Sequence, residues 1–282
     1  MADLSNSVPR GVPLQWIRIS PYTCLIAISA PLLAFLLIPL LIVVPMAFTK
    51  GQILLFPPQL FSVHAFTQLF ADASWMASAL TSLKIAIAST VMAVVVGVLA
   101  AMGLHNSRML FRGAFIVVIL LPIMIPGVVM ALGFYLFFQN VGLSGTWQAI
   151  ALAHSVVITP YVFIATQASL AGVDPTLSRA ARSLGAGALS IFTAVYWPAI
   201  KPGVIGGAVF AFIGSFDEIV ISLFLSGANV VPLPVQIFTS LQSDLTPKVA
   251  AVSALLFLLS LIGLAAQAYQ HANSSKKPNV EA

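Results

Sequence analysis

The chain has 282 residues, of which 60% are hydrophobic and 7% charged, with a formal net charge of +5. Soluble domains carry roughly a quarter charged residues, so this balance excludes a soluble globular protein and implies one built for a membrane. The lone Cys24 excludes a disulfide framework within one chain and any multi-cysteine metal site.

A bilayer core about 30 Å thick takes about 20 apolar residues per helix. Six runs meet that length: Tyr22–Phe48, Ala77–Leu104, Ala114–Gln139, Trp147–Ala171, Gly203–Leu225 and Val249–Tyr269. None alternates lumen and lipid faces every second residue, as the strands of a membrane barrel do. The expected fold is therefore all-α and integral to the membrane. Six transmembrane helices form one domain over 22–270, between an N-terminal tail, 1–21, and a C-terminal tail, 271–282. Arg10 and Arg18 before the first run also suit a cleaved signal peptide. The run is too long for a signal core and lacks a small-x-small cleavage site followed by a polar chain. It reads as a membrane helix bent at Pro31, Pro39 and Pro45.

Basic residues are retained on the cytoplasmic side of membrane helices. Arg10, Arg18, Arg108, Arg112, Arg179, Arg182, Lys201, Lys276 and Lys277 all fall on one side of a six-span chain, and Lys50 and Lys248 on the other. Both termini are placed in the cytoplasm. Lys84, inside the outer part of the second span, is within snorkelling reach of the outer interface. The positive charge thus reports topology and implies no nucleic-acid partner.

Soluble enzyme chemistry finds little support. His64, His105, His154 and His271 are scattered, with no second metal ligand at helical or finger spacing. No G-x-x-x-x-G-K-[ST] phosphate loop is present, so ATP hydrolysis through a Walker site is not expected in this chain. His154, near Ser155 and Thr159, could be drawn as a base beside a nucleophile, but a hydrogen-bonded packing histidine is the simpler reading.

The segment between the fourth and fifth spans, 174–202, is polar. Asp174-Pro175 is a helix start, a capping carboxylate followed by proline at the first helical position. A short helix is predicted over 176–184. Gly185 and Gly187 suit a left-handed turn into a second helix over 188–196, closed by Pro198 and Pro202. Ala180 and Ala181 expose little side chain, so a partner backbone could approach this glycine elbow closely. An ordinary cytoplasmic connector is the alternative.

Within this segment, Arg179-Ala180-Ala181-Arg182-Ser183-Leu184-Gly185, followed by Tyr196-Trp197-Pro198, resembles the Glu-Ala-Ala loop of ABC importer permeases. Ala180, Ala181, Gly185, Val195 and Pro198 match that family's pattern in register. Arg179 stands where its glutamate is usual, reversing a charge, and Trp197 where its leucine is usual. The stretch from Ala79 to Ala86 with Gly97 and Ala100-Ala101, then Leu121-Pro122 and Pro126, is similar to the second and third spans of the same permeases. Ser215-Phe216-Asp217-Glu218, Gly227 and the run from Leu233 to Phe238 are similar to the spermidine/putrescine-type subgroup. Together the similarity covers Ala77 to the end of the sixth span.

The resemblance implies a non-catalytic transport subunit. Its partners would be a dimer of ATPase subunits holding ATP and magnesium, a homologous permease or a second copy, an external solute-binding protein and membrane lipid. Arg179, Ala180, Ala181, Gly185 and Pro198 would form the ATPase-coupling loop. No cofactor is expected in this chain.

Asp217 and Glu218 lie inside the fifth span, where an ionised carboxylate costs on the order of 2.5–3.5 kcal/mol on insertion scales. Adjacent helical residues point about 100° apart, so one could line a path while the other meets a neighbour. Asp217, with Ser215 and Ser222, is the candidate for the substrate path. Pairing of one carboxylate with Lys84 is the rival, and a proton relay in an ion-coupled secondary transporter is a third use. A non-transporting scaffold would leave the two carboxylates without a role beyond holding helices together. Gly203 and Gly207 form a G-x-x-x-G spacing suited to close helix approach, within the chain or across a dimer. Polyamine permeases of the resembled subgroup often carry an acidic residue after the proline of the third span, where this chain has Gly127. The substrate expected from the resemblance is a polyamine, another small amine such as an amino-acid derivative, or a solute of a related type.

Overall fold

The computed structural model describes residues 21–51, 56–58, 60–105, 110–243 and 246–274. Arg10, Arg18, Arg108, Lys276 and Lys277 lie outside these residues, as does the side chain of Cys24. The described residues are helical apart from turns and two isolated bridges, Thr49 with Phe61 and Gly227 with Val230.

Helix α1 (Pro21–Met46) continues through Pro31, Pro39 and Pro45, and α2 (His64–Ala71) is a short helix that hydropathy alone does not announce. Asp72 starts α3 (Ala73–Leu104) by accepting the Ser74 amide at 3.0 Å. The expected third span is two helices, α4 (Arg112–Met124) and α5 (Gly127–Asn140), bent by 102°. Pro126 causes the break: proline drives the residue before it out of the helical region, and Ile125 sits at φ −83, ψ 132. The Pro126 carbonyl then accepts the Val129 and Met130 amides and starts α5.

Helix α6 (Trp147–Ala171), begun by Thr146, is the most enclosed element, with 61% of its most apolar window buried. Next come α7 (Pro175–Ser183), α8 (Ala188–Ile191), a π-helical turn over Phe192–Tyr196 and α9 (Trp197–Phe216). Pro198 and Pro202 do not end a helix as expected: Ala188–Phe216 runs as one helix of 29 residues. Proline's fixed φ is helical, and within a helix its ring clashes with the carbonyl four residues back, which also loses its N–H donor. For Pro198 that is Ala194, inside the wider π turn.

The fifth span is also interrupted. Helix α9 stops at Phe216, Asp217–Ile219 are non-helical, and α10 (Val220–Leu225) resumes. Helix α11 (Leu233–Ser243) begins with its Leu233 amide bonded to Ser82 Oγ of α3 at 2.7 Å, and α12 (Pro247–Ser274) follows.

Lipid offers no hydrophobic drive between helices, so close packing of small residues must hold them. The core is α3, α6 and α9. A Cβ on Gly207 of α9 would stand 2.8 Å from Val162 Cα, and one on Gly97 of α3 would stand 2.9 Å from Val162 Cβ. One on Gly203 would collide with Ser169 Oγ and the Ala165 carbonyl. The G-x-x-x-G pair therefore packs within the chain, against α6. At the end of the bundle where α3 begins, Lys248 of α12 pairs with Asp72 at 2.7 Å. That bond, with the Ser74 contacts, holds the Asp72 carboxyl down to about 2, from an ordinary 3.8.

Gly207→Val should destabilise the chain by about 1–3 kcal/mol, the usual cost of overpacking, because its first new atom meets backbone. Gly206→Ala, with nothing within 4 Å of the added carbon, should not; thermal unfolding in detergent compares them. Asp72→Asn should cost about 0.5–1 kcal/mol at neutral pH, the range for a partly exposed pair. A depressed carboxyl pKa stabilises above its unfolded value and loses that contribution as pH falls through its folded value. The gap between Asp72→Asn and the parent should therefore be full above about pH 4 and close towards pH 2, as read from unfolding at a series of pH values.

Candidate functional site

Two places in the fold gather polar chemistry, and the unbroken helix from Ala188 to Phe216 links them. The first is the α7–α8 elbow. Asp174 caps α7 by accepting the Thr176 amide at 2.8 Å, a bond that also holds its carboxyl below the ordinary range. Helix α7 ends in a Schellman turn: the Ala186 amide bonds the Ala181 carbonyl at 3.0 Å and the Gly185 amide bonds the Arg182 carbonyl at 2.9 Å. Gly185 takes φ +82, a left-handed conformation that glycine adopts without penalty. Gly187 is extended instead and serves as the α8 N-cap.

Arg179 and Ala180 are exposed and Ala181 half-buried on α7. Arg179 Nε donates to the Pro175 carbonyl at 3.3 Å, within its own helix. Arg179 and Arg182 line a cavity of about 860 Å³ with His105, Phe192 and Tyr196. His105, at the end of α3, stands edge-on to Tyr196, and burial followed by the nearby Arg112 charge lowers its pKa. Two large apolar side chains that the sequence reading did not single out project here, Leu184 at 88% exposure and Leu189 at 76%. Pro198 belongs to another element, the first turn of α9.

The second place is the break between α9 and α10. Glu218 Oε1 accepts the Val220 and Ile221 amides at 2.9 and 3.0 Å, so its carboxylate caps α10. Asp217 is exposed and lines a cavity of about 600 Å³ among α9, α11 and α12. Its walls are otherwise mostly apolar, including the stacked Phe212 and Phe216, with Leu233, Ile237 and Leu256. The two carboxylates do part ways, although through a helix break rather than the rotation of a continuous helix.

Ser215 and Ser222 are buried and are not among the residues lining the Asp217 cavity. His154 takes both: Nδ1 lies 2.9 Å from Ser215 Oγ and Nε2 3.2 Å from Ser222 Oγ. Ser215 Oγ is also 2.8 Å from Ser89 Oγ. A network thus joins α3, α6, α9 and α10, with His154 as the hydrogen-bonded packing residue at its centre. Lys84 sits over the Trp147 ring, 3.7 Å from its centroid, a cation–π contact. Among the described residues neither Asp217 nor Glu218 is ion-paired.

A helical membrane bundle with a carboxylate facing a cavity at a helix break, and a polar elbow at one end, defines a multi-pass protein of the transport class. Residues 93–276 match the family described as binding-protein-dependent transport system inner membrane component, and the chain belongs to that family. It is 32% identical over 228 residues to the spermidine/putrescine transport system permease protein PotC of Haemophilus influenzae, covering 81% of this chain and 88% of that one. It is 30% identical over 238 residues to the putrescine transport system permease protein PotI of Escherichia coli, covering 82% and 83%. In fold it is similar to a chain from a bacterial ABC transporter involved in the import of the acidic polysaccharide alginate. That match has a TM-score of 0.65 at 17% identity, over 89% of this chain and 98% of the other. These matches give the ion-coupled alternative no support.

Proposed function

We propose that this chain is a membrane-spanning permease subunit of an ATP-driven ABC importer that moves a small amine-bearing solute, most simply putrescine or spermidine, inward. The observation that carries the substrate class is the Asp217 carboxylate, without an ion-pair partner among the described residues, facing an apolar cavity. A cationic amine entering that cavity would offset the carboxylate's desolvation, and the polyamine names of PotC and PotI agree with this. Gly127 follows Pro126 here, so a second permease, homologous or identical, would supply any further carboxylate on the route.

Six crossings follow if the bent α4–α5 pair counts as one, α9 with α10 as one, and the apolar part of α12, Pro247–Gly263, as the last. The distribution of Lys and Arg then places both termini and the α7–α8 elbow in the cytoplasm. In this reading residues 174–202 are the coupling loop. Leu184 and Leu189, large apolar groups exposed on a polar segment, suit the groove of an ATPase subunit that carries the ATP and magnesium. An external solute-binding protein would load the opposite face. A paired set of ATPase subunits closing on ATP would displace the elbow, and the single helix from Ala188 would carry that displacement to the break at Asp217.

Two outcomes test the reading in vesicles containing the assembled transporter. Asp217→Asn should lower putrescine uptake roughly tenfold or more, as loss of one desolvated charge partner does, while membrane insertion is unchanged. Wild-type uptake by that variant would remove Asp217 from the path. Gly185→Pro cannot adopt the left-handed φ and should abolish uptake with insertion intact; normal ATP-driven uptake would remove the elbow as the coupling element.

A further inference from the structure

The bonds around His154 run in one direction. Ser89 Oγ donates to the Ile85 carbonyl at 2.8 Å, with the Ala86 carbonyl at 3.2 Å, so its hydroxyl proton is committed. Towards Ser215 it can only accept, so Ser215 donates to Ser89. Ser215, its one proton spent, accepts from His154 Nδ1–H. The lone pair on Nε2 then accepts from Ser222. Every donor is used once, and the imidazole connects the last turn of α9 to the first turn of α10 across the Asp217–Ile219 break.

The three serines differ in what they depend on. Ser89 keeps its carbonyl bonds whatever happens at Ser215. Among the described residues Ser222 Oγ bonds His154 alone. Because α10 is only six residues long, it is held mainly by its cap from Glu218 and by this contact and packing. We propose that His154 is a positioning residue. It clamps both lips of the break so that Asp217 faces the cavity while Glu218 stays on the α10 amides. The inference rests on the reading of Asp217 as the substrate-facing carboxylate.

The test uses the assembled transporter in lipid nanodiscs and two readouts. Amide hydrogen exchange over 216–222 reports the break itself, and putrescine uptake after reconstitution reports its use. His154→Phe fills the ring's space without its hydrogen bonds, and Ser222→Ala removes one bond at no cost in volume. Both should speed exchange over 216–222 by about tenfold, the effect of one or two net hydrogen bonds, and lower uptake by a similar factor. His154→Gln, which can donate from one end and accept at the other, should restore both. Ser253→Ala, which removes only a bond to the Val249 carbonyl within α12, should leave both near the parent value. Unchanged exchange in Ser222→Ala would overturn the clamp, and that variant decides the matter even if His154→Phe fails to insert. Faster exchange with normal uptake would overturn the positioning role, as would equal damage from Ser253→Ala, the mark of general packing. If the parent transporter takes up no putrescine, the substrate reading fails, while the exchange result still decides the clamp.

Discussion

The close approach of α6 to α9, glycine against backbone, is the constraint from which the other features follow. With Gly207 against Val162 and Gly203 against Ser169, the helices come near enough for His154 of α6 to reach Ser215 and Ser222 directly. Gly97 brings α3 onto the same stretch of α6, which puts Ser89 within 2.8 Å of Ser215. A longer side chain at any of these glycines would separate the helices by more than a hydrogen bond can span. Polar groups left unpaired at that depth are costly, so packing and hydrogen bonding stand or fall together.

The same arrangement divides the labour of two adjacent carboxylates. Glu218 spends its charge on the α10 amides, the favourable end of a helix dipole. Asp217, one residue earlier, has no such partner among the described residues and faces the cavity with Phe212 and Phe216. Lys84 could have neutralised either one, but it rests on Trp147. The break therefore separates a structural carboxylate from an available one, a distinction that a continuous helix would have left to side-chain rotation.

Much of the architecture was legible because its signals are local. Apolar run length marked the main helices, and Asp174-Pro175 with Gly185 marked the start and end of α7 to within a residue. Prolines misled where context decides: Pro126 breaks its helix by 102°, whereas Pro198 and Pro202 ride inside one. At Pro198 the accommodation lies in the π turn before it, which local composition does not reveal. The interruption at Asp217–Ile219 was hidden because its cap is a glutamate inside an apolar run, not a Ser, Thr or Asn at a polar boundary. His154 could be recognised as packing glue, but its partners lie 61 and 68 residues away, beyond any periodicity argument. The exposed Leu184 and Leu189 could have been sought among the three leucines of the polar stretch 174–190.

The uninterrupted course of Ala188–Phe216 places a rule on how this chain can change over time. Along a continuous helix each residue turns its successor by about 100° and advances it 1.5 Å. One residue added or lost anywhere in those 29 would swing the elbow out of phase with the acidic break while leaving both intact. Apart from Gly203, Gly207 and Ser215, drift in side-chain identity is tolerable there, and drift in length is not. The stretch acts as a keyed shaft, whose indexing matters more than its material.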